Sequence, residues 1–258
     1  MSTADIAIGT AVTTPARVRQ LSIPALLMLH LVPGALMTAG FVLLAPLAET
    51  LGFPPITALL VAIAVVLVPT ELAILALAAR AEGGSIGALI PYRSPIAARS
   101  WAWLLPTLIA LALLGFGLHQ AIEPALIEQF FGWLPEWYVS PIVVDQIGSY
   151  GATPWLVTLV AYFLINGLLG PIVEEVYFRG YLLPRMDRFG RWAPLINVGL
   201  FSLYHFWSPW QIVARILGFG PTVYAVWWKR NVWLGMAVHC TLNSLGVLLV
   251  AAMVLGRI

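Results

Sequence analysis

Apolar runs of about 18 residues or more recur along this sequence, and each is long enough to cross a ~30 Å hydrocarbon core. The runs are continuous and do not alternate, which argues against a transmembrane β-barrel. Only 9% of the 258 residues are charged, against about 25% in an ordinary soluble domain. The fold class that follows is all-α: a polytopic transmembrane helix bundle of about seven to eight spans. Seven can be placed, near 21–48, 56–79, 101–118, 154–178, 193–207, 210–228 and 232–255. Residues 1–20 read as a tail and 21–258 as a single transmembrane domain. The first apolar segment follows Arg17 and Arg19 as a signal peptide would, but it runs about 28 residues, too long for a signal sequence.

The few charges are ordered. Arg17, Arg19, Arg80, Arg93, Arg99, Arg185, Arg188, Arg191, Lys229 and Arg230 fall at the tail and in every second loop. The alternate loops carry no Lys or Arg, and the longest, 119–153, holds Glu123, Glu128, Glu136 and Asp145 among Trp and Tyr residues. By the positive-inside rule the N-terminus is cytoplasmic in the cell membrane, and the 119–153 stretch lies along the opposite interface. Arg257 is the one mild exception. The single cysteine, Cys240, excludes an intrachain disulfide and a cysteine-rich zinc site. Scattered basic residues give no nucleic-acid surface.

Ionisable residues inside spans cost a few kcal/mol each and mark sites. Here they are Glu71, Glu174, Glu175, His205, Arg215 and His239, with Asn166 and Asn243 as polar neutrals. His30 and His119 sit nearer span ends and are expected at the interface. Arg215 is expected to snorkel to an interface or to pair with an acid such as Glu71, and Glu71 to share that pairing or to sit in an early helical turn after Pro69 and Thr70; neither is assigned a catalytic role. Measured from the flanking basic residues, Glu174, His205 and His239 lie roughly 16, 21 and 13 Å deep, so three spans deliver polar groups to similar depth. In GPIVEEVYFRG, Glu175 and Arg179 are four apart and share a helix face, whereas Glu174 points ~100° away. Both glutamates could instead simply satisfy Arg179 and nearby donors. Pro171 removes a backbone hydrogen bond and can open the helix. His239 and Asn243 are also four apart; Cys240 points away from them. Trp207–Trp210, WSPW, stops the fifth span short, where water can enter a bundle.

EEVYFR (EExxxR), FSLYH (FxxxH) and HCTLN (HxxxN) occur in that order on late spans. Together they resemble the CPBP family of CAAX proteases and bacteriocin-processing enzymes, also called the Abi family, over roughly residues 154–255. The resemblance implies an all-α intramembrane endopeptidase with its catalytic core in the late helices. Carried over by motif position, Glu174 and His205 activate a water, His239 and Asn243 stabilise the oxyanion, and Glu175 and Arg179 support the site. A carboxylate and an imidazole among apolar helices suit general acid–base work, and two preorganised donors suit an oxyanion. No cofactor is expected. The alternative is zinc on His205, His239 and Glu174 or Glu175, although no HExxH is present. The expected substrate is a membrane-anchored peptide or protein, cut at or within the cytoplasmic leaflet; the sequence does not specify an oligomeric state. A non-proteolytic membrane factor, such as an immunity or scaffold protein, is the competing reading. A transporter is disfavoured because the polar set has no counterpart in the first half.

Overall fold

A computed structural model describes residues 18–142 and 144–257; the tail including Arg17 lies outside the described residues. The chain is an all-α bundle with no strands among the described residues. Its long helices are α1 (Ile23–Thr50), α2 (Pro55–Ala81), α3 (Ala98–Gln120), α4 (152–182), α5 (Ala193–Tyr204), α6 (Ile212–Lys229) and α7 (Val232–Leu255). They coincide with the seven expected spans. Among the described residues five runs are long and apolar enough to cross a membrane: α1, α2, α3, Ala152–Tyr204 and α7. The fourth of these joins α4 to α5 through non-helical backbone at Met186 and at Gly190, whose φ of +51° suits a residue without Cβ. Past that corner the chain doubles back, because Tyr204 on α5 meets Glu174 on α4. At 12 residues α5 is only about 18 Å long, half a bilayer. Helix α6 carries Arg215 and Lys229 and is not among the five runs.

Polar side chains repair what prolines interrupt. Pro33 lies inside α1 and cannot donate to the carbonyl of Leu29; the Tyr177 hydroxyl on α4 donates to it instead, at 2.7 Å. His30 corrects the interface expectation: it is fully buried, with Nδ1 donating to Leu26 O at 2.8 Å and Nε2 3.2 Å from Asn197 Nδ2. Helix α1 crosses the bundle centre at this point, so His30 faces α5 and not lipid headgroups. His119 is likewise buried, 3.9 Å from Glu123. Helices approach closely where side chains are small. A Cβ on Gly115 of α3 would lie 2.8 Å from Gly218 N of α6, and one on Gly34 of α1 would collide with the Tyr204 carbonyl.

The two ends of the bundle differ. At the base-rich end the loops are stitched together. Arg185 holds both oxygens of Glu82 at 3.0 Å and donates to Leu89 O at 3.1 Å. Val232 N donates to Tyr92 O at 2.9 Å, Ser94 N to Arg230 O at 2.9 Å, and Asn231 Nδ2 to Ser94 O at 2.7 Å. At the other end, short helical turns between 123 and 149 form a strap. Tyr138 ties it to the 205–211 turn by donating to Phe206 O at 2.9 Å, and Phe131 and Tyr138 pack on Trp210. Trp133 and Phe130 on this strap are exposed, in keeping with an interfacial position.

Candidate active site

Helix α4 is wound unusually around GPIVEEVYFRG. Wide, π-type turns occupy Tyr162–Leu169 and Glu175–Leu182, with one ordinary turn, Gly170–Glu174, between them. Pro171 supplies a local cause, since it cannot donate to the preceding turn and its ring crowds that turn's carbonyl. Such wide turns are frequent at functional sites. Here they turn the two glutamates in different directions.

Glu175 is almost fully buried and does two things with one oxygen. Its Oε1 lies 3.3 Å from Arg179 Nη1 and 3.2 Å from His239 Nδ1. Its Oε2 lies against Gly235 on α7, where any Cβ would collide with it. Arg179 is fully buried, with its guanidinium 3.9 Å above the Phe201 ring and no hydrogen bond within the described residues. Glu175, Arg179 and Phe201 thus form a dry stack under the site.

Glu174 turns toward a cavity of about 630 Å³ that His205, His239 and Asn243 also line. Tyr204 donates its hydroxyl to Glu174 Oε1, and His239 Nε2 lies 3.8 Å from Glu174 Oε2. His205 closes the last turn of α5, with Nδ1 donating to Phe201 O at 2.7 Å. A carbonyl only accepts, so Nδ1 carries the hydrogen and Nε2 keeps its lone pair for the cavity. The spacing in FSLYH therefore has a cause: Phe201 both orients His205 and carries Arg179. Asn243 spends one amide hydrogen on Asn166 O at 2.9 Å and keeps the other.

The structure brings all six expected residues together. Glu174, Glu175, Arg179 and His239 are in direct contact, and Asn243 sits one turn beyond His239. No hydrogen bond or ion pair joins His205 to Glu174 or His239 among the described residues; it meets them across the cavity. Cys240 turns aside, 3.9 Å from Leu168 O. Tyr204 is the residue that sequence reasoning passed over. Its signal was its position next to His205, where the end of α5 can turn both side chains inward.

The expected pairing of Glu71 with Arg215 is not found. Arg215 donates to Ser208 O at 3.1 Å, Ser208 Oγ at 2.5 Å and Gln211 Oε1 at 3.0 Å, holding the WSPW turn. Glu71 is fully buried on α2, with neither oxygen hydrogen-bonded within the described residues, and lies within electrostatic reach of Glu174 and Arg179. Helix α2 packs on α4, which places the Glu71 carboxyl on the side of Glu174 and Arg179. Among the described residues no three His, Cys, Asp or Glu side chains are grouped closely enough to hold a metal ion as they stand. His205 and His239 each engage Nδ1 with an oxygen and leave Nε2 on the cavity side, and His239 Nε2 lies 3.8 Å from Glu174 Oε2.

Residues 156–245, which carry all three motifs, match the family model described as type II CAAX prenyl endopeptidase Rce1-like. No curated protein and no solved structure matches the chain significantly. Over this late-helix stretch the chain is similar to the type II CAAX prenyl endopeptidases; the match covers about a third of its length.

Proposed function

We propose that the chain is an intramembrane endopeptidase in which Glu174 activates a water without a metal. The observation that carries this reading is the 3.8 Å separation of Glu174 Oε2 and His239 Nε2 at the cavity wall. One water oxygen can lie at hydrogen-bond distance, about 2.8 Å, from both. Glu174 takes a proton from that water as its oxygen attacks the scissile carbonyl. The free Nε2 of His205, across the cavity, shares the proton and delivers it to the leaving amine. Tyr204 fixes the glutamate by its other oxygen.

The oxyanion falls to α7. With Nδ1–H donated to Glu175, His239 offers the cavity a donor only when Nε2 also carries hydrogen, and Glu174 stands beside it to exchange that proton. The second amide hydrogen of Asn243, one turn along, completes a two-donor hole. Glu175 and Arg179 hold His239 in place from below.

The substrate is a membrane-associated peptide or protein, in a cell membrane with the N-terminus of the enzyme cytoplasmic. Glu174→Gln and His205→Ala, each assayed for cleavage of a membrane-anchored peptide by the purified protein, are expected to lose about 10²–10⁴-fold in rate. Full activity in either variant overturns the reading. Activity that disappears with a zinc chelator and returns with zinc overturns the metal-free mechanism. A cellular phenotype indifferent to both substitutions would favour the non-proteolytic factor.

A further inference from the structure

Among the described residues, the lining of the cavity leads toward one end of the bundle. Away from Glu174 and His239 its walls run through Ile63 and Ile56 of α2, Phe116 and Gln120 of α3, Ser140 of the strap and Trp207 of the WSPW turn. Each helix contributes the half that leads to the base-poor loops. Gln120 and Ser140 are exposed, so the cavity reaches solvent among them. In the other direction it stops. Arg179, Phe178, Phe201 and Leu234 are fully buried beneath the site, and none of them lines it. Below them lies the stitched end, where Glu82, Tyr92, Ser94, Arg185, Arg230 and Asn231 close the loops over one another. No lining residue belongs to those loops.

The charges assign a side to each end. Arg80, Arg93, Arg99, Arg185, Arg188, Arg191, Lys229 and Arg230 all flank the sealed end, while Glu123 stands at the open one. The excess of Lys and Arg marks the cytoplasmic side. Depth from the basic residues alone suggested a site worked from the cytoplasmic leaflet, but depth says nothing about which end is open.

We infer that the cavity is reached from the non-cytoplasmic face, so that its substrates are peptide segments presented there: the outer parts of membrane proteins, or peptides already carried across the bilayer. This rests on the peptidase reading for what happens inside the cavity, and on the cavity walls and charge distribution for how it is reached. A tail anchored on the cytoplasmic face has no path to Glu174 through the stitched loops.

The test places single cysteines in a Cys240→Ser background at Gln120, Ser140 and Arg191. Intact cells are treated with a membrane-impermeant maleimide. Gln120→Cys and Ser140→Cys are expected to label from outside, and Arg191→Cys only after permeabilisation. The reverse pattern overturns the inference. In the purified protein, a bulky maleimide on Ser140→Cys is expected to slow cleavage of a membrane-anchored peptide at least tenfold, with the same adduct on Arg191→Cys leaving the rate unchanged. Blocking from Arg191 and not from Ser140 also overturns it. Labelling does not need catalysis: outside labelling in a protein that cleaves nothing sinks the peptidase reading and leaves the access route standing, whereas inside labelling in an active enzyme does the opposite.

Discussion

Tyr204 shows what a single residue contributes that spacing cannot reveal. Its hydroxyl reaches Glu174 from a different helix, so no local pattern pairs them. A hydrogen bond to a charged group contributes about 1.5–3 kcal/mol, which corresponds to roughly 10–100-fold in rate if it is made in the transition state. Tyr204→Phe is therefore expected to lower kcat by about that factor with little change in thermal stability, read from steady-state kinetics and a melt in detergent. Glu175 with Arg179 and His239 with Asn243 could be grouped in sequence because each pair is one helical turn apart, and Glu174 and His205 joined them because three spans bring polar groups to similar depth. Glu71 was not. Its pairing depends on which neighbour α2 faces, and an isolated acid in an apolar run carries no such information. His30 failed for the same reason: position along a span does not say whether a side chain faces lipid or protein.

At the scale of elements, the helices were readable as apolar runs and their interruptions were only half so. Pro171 pointed to an opened helix, and α4 does widen on either side of it. The doubling back at Met186 and Gly190 was visible only as a basic loop. Close helix crossings depend on glycines that look incidental in sequence. Gly115 and Gly218 bring α3 and α6 together on the flank of the cavity. Gly115→Val overfills that crossing, and a loss of about 1–3 kcal/mol is expected, measured by unfolding in detergent. A compensating change at the cavity mouth is not needed to see it, because the contact is between backbones.

For the whole molecule, the difference between its ends governs behaviour. Tyr92 sits in the stitched end, outside the spans, nearly fully buried beside Arg230. Burial pushes its phenol up to about 12 from the usual 10.0, although Arg230 pulls the other way. The unfolded chain ionises this group first. Its contribution to stability is thus intact below pH 10 and is lost as pH climbs from 10 toward 12. Melting temperature in detergent is expected to fall across that interval, and Tyr92→Phe is expected to flatten the fall.

The stack of Glu175, Arg179 and Phe201 has a further consequence for the membrane that holds it. The proposed hydrolysis needs water within the bilayer, and a file of water running from face to face would short-circuit the proton gradient. The guanidinium lying on the Phe201 ring interrupts any such file halfway and places a fixed positive charge where a hydronium would have to pass. Liposomes carrying the protein should hold an imposed pH gradient as long as empty ones, by a trapped dye. Phe201→Ala should let it decay.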